Sequence, residues 1–187
     1  YTESNNTWDE AANVVPNFDT AWSPSGYLST GHDYHNDTAS TVTGDVYHKQ
    51  NSSGKVMRWN AASNSWSQCT PLPSGVSWQV TAALEYFPDR NSLVMLDGDW
   101  GVWEQVLVNG DCTVNSWVQR ASTVGGGFSP QLTGTGDYNV QSKYSARCHC
   151  IVLGGGKSPG VLYRYNSNGT FSNVSSSGAP RAILVPG

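Results

Sequence analysis

The chain has 187 residues, of which 37% are hydrophobic and only 13% are charged, and its formal net charge is −4. A hydrophobic share of this size, with 20 glycines added, is typical of a globular chain, whereas so few charges disfavour long charged amphipathic helices. Because no basic run is present, we expect no nucleic-acid partner. No apolar run reaches the roughly 18–20 residues of a membrane span, so we expect no membrane insertion.

An aromatic tripeptide recurs along the chain. Asn-Ser/Thr-Trp ends at Trp8, Trp66 and Trp117, and a weaker copy ends at Phe171. The copies are about 50–58 residues apart, a period that indicates a repeat architecture such as a propeller.

A second sequence pattern recurs with about the same spacing as the aromatic tripeptide. The stretch Tyr86–Gly98 matches Ser145–Gly155 when Arg90 is aligned with Arg147, and each stretch is an apolar run closed by glycine. Such a run indicates a buried strand that ends in a turn. A strand over Gln79–Phe87 precedes the first of these runs.

A third strand in each repeat alternates apolar and polar residues. This period is that of a half-buried strand. The segments are Lys55–Asn60, Gly101–Val106 and Val161–Asn166. With the Trp-bearing segment as the fourth, each repeat is predicted to form four short antiparallel strands, as in a propeller blade.

The repeats resemble those of a kelch-type β-propeller, in which a strand ending in Gly-Gly is followed by a strand with Tyr and one with Trp. The best match is Ile151–Gly156 followed by Leu162–Tyr165. The resemblance implies an all-β fold, a kelch-like β-propeller segment of four-stranded antiparallel blades. The expected organisation is the last strand of a preceding blade plus a link in 1–29, blades in 30–76, 77–130 and 131–180, and the start of a further blade in 181–187.

Kelch-type propellers have about six or seven blades, so the resemblance implies a ring that this chain cannot close alone. We expect the chain to be a fragment of a longer polypeptide, or other chains to complete the ring, because exposed sheet edges invite pairing.

A binding surface is expected on the loops. In a four-stranded blade, the loops between the second and third strands emerge on the same face as the links between blades, and long loops on a rigid scaffold commonly bind ligands. We expect a protein or glycan ligand there, contacted by Trp78, Asp97, Asp99, Trp100 and Trp103, beside the Gly-rich link Ser122–Asp137.

The four cysteines leave several pairings open. Cys69 follows a Trp-bearing strand and Cys112 precedes the next, so we expect either a disulfide between neighbouring blades or buried thiols. Cys148 and Cys150 lie two apart on a predicted strand, where they do not readily bond to each other, and we expect them to be buried free thiols.

The composition favours an extracellular location. Five Asn-x-Ser/Thr sequons permit N-glycosylation, at Asn5, Asn36, Asn51, Asn168 and Asn173. The polar cluster His32–His35 resembles a metal site, but its two histidines would face opposite sides of a strand. We expect a structural role for this cluster and no metal or cofactor.

These observations predict a non-enzymatic, extracellular recognition or assembly scaffold. One alternative is a structural subunit of a virion or extracellular fibre. Another is a fragment of a kelch-type copper-radical oxidase, whose site needs two His, two Tyr and a cross-linked Cys. This chain offers only the dipeptide Tyr34-His35 towards such a site.

Overall fold

A computed structural model describes residues 37–49, 55–74, 82–97, 101–121, 141–154 and 163–173. These residues form three four-stranded antiparallel sheets, one short 3₁₀ turn and no α-helix. The first sheet contains β1 (Asp37–Ala39), β2 (Val46–Lys49), β3 (Val56–Asn60) and β4 (Ser65–Gln68). The middle sheet contains β5 (Ala83–Phe87), β6 (Ser92–Asp97), β7 (Gly101–Val106) and β8 (Val118–Ala121). The third sheet contains β9 (Gln141–Ser145), β10 (Cys150–Gly154), β11 (Tyr163–Asn166) and β12 (Phe171–Asn173).

Each sheet is an up-and-down meander, because its strands are hydrogen-bonded in chain order. Three hairpin turns end in a residue with left-handed backbone, namely Asn64 (φ 49°), Asn91 (φ 45°) and His149 (φ 50°). Asparagine tolerates this conformation better than most residues, so the sequence itself favours the turns at Asn64 and Asn91.

The turns correct one detail of the sequence alignment. Phe87 pairs with Ser92 across one turn, and Ser145 pairs with Cys150 across the other. Cys150 is therefore the structural counterpart of Ser92, and the match that aligns Arg90 with Arg147 is shifted by one residue. The shift arises because apolar runs tolerate a one-residue slip in sequence, whereas strand pairing does not.

The middle sheet is buried on both faces. Leu84, Leu93 and Met95 belong to the core shared with the first sheet, and Val94 and Leu96 belong to the core shared with the third. This explains why β7, predicted to be half-buried, is buried from Gly101 to Gln105. A strand between two sheets places both of its alternating faces in a core.

The first strands of the three sheets lie side by side, β1 against β5 and β5 against β9. The amide of Tyr86 donates to Thr38 Oγ1 at 2.9 Å, and the amide of Tyr144 donates to Glu85 Oε1 at 3.0 Å. Side chains of one inner strand thus bind the backbone of the next inner strand.

Adjacent inner strands and face-to-face sheets are the arrangement of β-propeller blades. The prediction of an all-β fold built from four-stranded antiparallel blades is confirmed, and the three sheets form an unclosed ring.

The repeated tryptophans have different environments. Trp66 lies in β4, whereas Trp117 immediately precedes β8 and is buried in the core between the first and middle sheets. Its indole Nε1 donates to the carbonyl of Thr70 at 2.9 Å, which links these two sheets. Trp8 lies outside the described residues.

Candidate functional site

Most of the ligand contacts predicted from sequence lie outside the described residues. This applies to Trp78, Asp99 and Trp100, and to the Gly-rich link over 122–137. Asp97 ends β6, but its side chain lies outside the described part of the chain. The loop face therefore remains a prediction.

Trp103 has a different position from the one that its sequence neighbourhood suggests. It is the third residue of β7, only 7% exposed, and it packs in the core between the first and middle sheets. Its place beside a turn suggested a loop-face residue, but β7 is buried from Gly101 to Gln105, and the indole packs between two sheets. Trp103 therefore has a packing role.

A disulfide joins Cys69 to Cys112, with the Cα atoms 4.8 Å apart. Cys69 follows β4 and Cys112 follows β7, so the bond connects the first sheet to the middle sheet. The amide of Thr70 also donates to the carbonyl of Cys112 at 2.9 Å. Of the pairings left open by the sequence, the structure has the one between neighbouring blades.

The expectation of free thiols at Cys148 and Cys150 is wrong, because a disulfide joins the two. Cys148 lies in the turn before β10, so the two cysteines do not share an extended strand. Between them, His149 adopts φ 50°, which reverses the chain enough for the sulfur atoms to meet. No cysteine of the chain is free.

A buried carboxylate, which the sequence analysis did not single out, lies where the middle sheet packs against the third sheet. Glu104, fully buried in β7, accepts hydrogen bonds from Arg90 Nε (2.7 Å) and Arg120 Nε (2.7 Å). It also accepts from Ser92 Oγ (2.7 Å) and from the hydroxyl of Tyr165 (2.8 Å). An acidic residue in the middle of a predicted strand was the available signal, since buried carboxylates need cationic partners.

The electrostatics of this cluster are set by burial and ion pairing. Burial disfavours the charged form of Glu104, but the hydrogen bonds from Arg90, Ser92 and Tyr165 and the charge of Arg90 hold its pKa below the usual range. The hydrogen bond to Glu104 raises the pKa of Arg90, and burial raises the pKa of Tyr165. The Glu104 carboxylate is therefore ionised, and both of its oxygen atoms accept hydrogen bonds.

A smaller charged cluster joins the first and middle sheets. Arg58 in β3 donates through Nε to Asp45 Oδ2 at 2.9 Å, and its Nη1 lies 3.8 Å from Asp111 Oδ1. The hydroxyl of the buried Tyr47 donates to the carbonyl of Gly110 at 2.8 Å. Burial raises the pKa of Tyr47, so this hydroxyl stays a donor.

A third cluster lies at the turns of the middle and third sheets. Asp89 accepts from the Tyr144 hydroxyl at 2.7 Å, and its Oδ1 lies 2.8 Å from His149 Nδ1. The hydrogen bond from Tyr144 lowers the pKa of Asp89, burial opposes this effect, and the contact with His149 lowers the pKa further. The His149 side chain is 66% exposed.

One sequon has the local geometry of an Asx turn. Asn168 and Thr170 lie exposed between β11 and β12, and Asn168 Oδ1 accepts from the Thr170 amide (3.0 Å) and hydroxyl (2.7 Å). The residues Asn5, Asn36 and Asn51 lie outside the described ranges, and the side chain of Asn173 does too.

Within the described ranges, no group of three His, Cys, Asp or Glu side chains is placed to hold a metal ion. His48 is paired with Asp37, whose Oδ1 lies 2.6 Å from Nδ1. His32, Asp33, Tyr34 and His35 fall outside the description. No helix of the described part is both long and apolar enough to cross a membrane.

Comparison with known proteins shows limited similarity to solved structures. No protein-family model matches the sequence, and no curated protein is similar enough to match. The dihydro-heme d1 dehydrogenase NirN, solved in complex with DHE, superposes with a TM-score of 0.47 at 16% sequence identity. The match covers 78% of this chain and 28% of NirN, so the chain spans little more than a quarter of that protein's length. A likeness at this level carries no functional inference.

Proposed function

We propose that the chain is a segment of a kelch-type, extracellular β-propeller that serves as a non-enzymatic recognition or assembly scaffold. One observation carries the proposal: the middle sheet is buried on both faces, whereas the first and third sheets each pack against a described sheet on one face. A propeller blade needs a neighbour on both faces. Further blades, from the same polypeptide or from other chains, would supply those neighbours.

The open side of the third sheet supports an assembly role. Ile151 and Tyr165 face the middle sheet, so Val152, Arg164 and Ser172, which lie in register with one another, occupy the opposite face. Arg164 and Ser172 are exposed. A polar face with a cation suits a neighbour that is itself a folded sheet with a complementary charge.

The cysteines support an extracellular location. All four are in disulfides, and structural disulfides persist mainly in oxidising compartments. The accessible sequon at Asn168 is compatible with glycosylation in such a compartment.

The non-enzymatic part of the proposal is supported by the roles of the buried charges. Asp45 is bound to Arg58, Glu85 to Lys143, and Glu104 to two arginines. These pairs hold strands or sheets together. Recognition would then depend on the loops, where we propose Trp78, Asp97, Asp99 and Trp100 as contacts for a protein or glycan.

Native mass spectrometry of the intact chain tests the assembly role. If copies complete one another, species at a small multiple of the 20.1 kDa chain mass are expected. Arg164→Glu should then reduce the multimer fraction about tenfold, since charge reversal in an interface costs more than 1 kcal/mol. Arg147→Glu, at an exposed arginine in the β9–β10 turn, is the matched control.

The same experiment separates the two assembly functions. Unlimited growth of the species with concentration would favour a structural subunit of a virion or fibre, because a heterologous contact that does not close makes filaments. A purely monomeric chain that binds no glycan or protein in a tryptophan-fluorescence titration would contradict the scaffold proposal. In that titration, Trp100→Ala should abolish the signal and Trp59→Ala, on the first sheet, should preserve it.

A further inference from the structure

The two disulfides have unequal surroundings. Cys69 and Cys112 are both buried and connect two sheets across 43 residues of sequence. Cys148 and Cys150 are separated by one residue, at the turn between β9 and β10, and Cys148 is only half-buried. Cys150 is fully buried, so Cys148 is the more exposed cysteine of this pair.

The short disulfide contributes little to holding the fold. Stabilisation by a cross-link increases with the length of the chain segment that it closes, and here that segment is minimal. Cys148 lies in the β9–β10 turn and Cys150 begins β10, so the bond connects no two sheets.

The middle sheet shows that the turn does not need the disulfide. The β5–β6 turn has the same length, and Asn91 has the same left-handed backbone as His149. Arg90 and Ser92 occupy the positions of Cys148 and Cys150 there. The same turn therefore forms without a cross-link, so packing and turn geometry leave the cysteine pair unexplained.

The surroundings of Cys148 suit thiol chemistry. His149 lies between the two cysteines, with an imidazole that is 66% exposed and 2.8 Å from Asp89. In its protonated form this imidazole carries a positive charge on the residue that separates the two cysteines, and positive charge near a sulfur favours the thiolate form of cysteine. Asp89, in the β5–β6 turn, also accepts from Tyr144 in β9, so the partner of the histidine is itself held by the third sheet.

We propose that Cys148–Cys150 is a thiol–disulfide exchange site whose substrate is a dithiol. A thiolate of the dithiol attacks Cys148 Sγ, forms a mixed disulfide and displaces Cys150 as a thiolate, which takes up a proton. The second thiolate of the dithiol then attacks the dithiol sulfur of the mixed disulfide and displaces Cys148 as a thiolate, which takes up the second proton. The dithiol is oxidised to a disulfide by two electrons, and the cysteine pair is reduced to two thiols.

The test uses the intact oxidised chain with limiting dithiothreitol, alkylation at successive times and peptide mass mapping. Cys148–Cys150 should open at least about tenfold faster than Cys69–Cys112, since exposed disulfides exchange faster than buried ones. Equal rates, or faster opening of Cys69–Cys112, would overturn the proposal. With the monothiol glutathione, the trapped adduct should be on Cys148, and an adduct on Cys150 would overturn the assigned direction of attack.

A separate variant tests how much the His149 imidazole contributes to the exchange rate. His149→Asn removes the imidazole and retains a residue that tolerates the left-handed backbone, as Asn91 does in the equivalent turn. The exchange rate should fall about fivefold while the thermal midpoint of unfolding stays near that of the parent chain. His48→Asn, at a histidine that is also paired with an aspartate, should leave the rate unchanged. An unchanged rate in His149→Asn would show that the imidazole does not assist exchange.

Discussion

The hydroxyl of Tyr165 in the third sheet donates to Glu104 Oε2 in the middle sheet at 2.8 Å, inside the core that the two sheets share. Arg90 lies over the Tyr165 ring, 5.6 Å from its centroid, and binds the same carboxylate. Its Nη1 also donates to the carbonyl of Ser167 at 2.9 Å. One buried acid and one arginine therefore connect two neighbouring sheets.

Replacing Glu104 by glutamine should destabilise the chain by about 3 kcal/mol, because it leaves two arginines without their buried counter-charge. The free energy of unfolding from urea titration measures this. Lys143→Ala removes an ion pair whose lysine is 67% exposed, and the loss should stay below about 1 kcal/mol. Similar losses in the two variants would contradict the central role of Glu104.

Acid should destabilise the folded chain. The pKa values of Glu104, Asp89 and Asp111 are lowered on folding, so their contribution is fully present above the unfolded pKa, near 4, and is lost as the pH falls through the lower folded values. Urea midpoints measured from pH 6 down to pH 2 should therefore decrease below about pH 4.5. The Glu104→Gln variant should show a shallower decrease, and an identical pH slope would exclude Glu104 as a contributor.

Substitution of Gly110, in the Asn109–Gly110 turn, tests both left-handed backbone strain and the room available for a Cβ atom. Gly110 has φ 79°, and a Cβ there would lie 3.1 Å from Asp45 Oδ2 and from Thr43 Cγ2. Gly44 has a similar φ of 76°, but its nearest neighbour would be Ala61 Cβ at 3.6 Å. Both Gly→Ala variants should lose about 1–2 kcal/mol from left-handed strain, and Gly110→Ala should lose more because of the contacts. Equal thermal shifts would show that space at Gly110 is not limiting.

The two disulfides should differ in their effect on stability. Loop-closure entropy predicts a loss of about 4 kcal/mol for Cys69→Ala/Cys112→Ala and about 1.5 kcal/mol for Cys148→Ser/Cys150→Ser. Unfolding of each double variant in urea measures the difference. A larger loss from the short disulfide would contradict the assignment of the long one as the bond that stabilises the packing of the first and middle sheets.

Local sequence patterns were sufficient to predict the positions of several strands. The Gly-closed run around Leu93–Leu96 and the alternating segments predicted β6, β7, β10 and β11 to within a few residues, because strand propensity and turn residues act over short distances. The same patterns did not predict the burial of Trp103 or the disulfide between Cys148 and Cys150. The burial of Trp103 depends on how the first sheet packs against β7, and the position of Cys148 depends on where β10 begins, which strand pairing decides.

The sequence by itself determined the repeat, the all-β class and the four strands of each sheet, because periodicity and turn chemistry are properties of adjacent residues. Only the tertiary structure decided which sheet faces are buried, which cysteines pair and which acidic residue binds the two arginines. Tyr165 and Glu104 are 61 residues apart in sequence and lie in different sheets, and their contact exists only because these two sheets stack face to face. The loss of water in that stacked core makes each unpaired charge costly, and it thereby selects the partners.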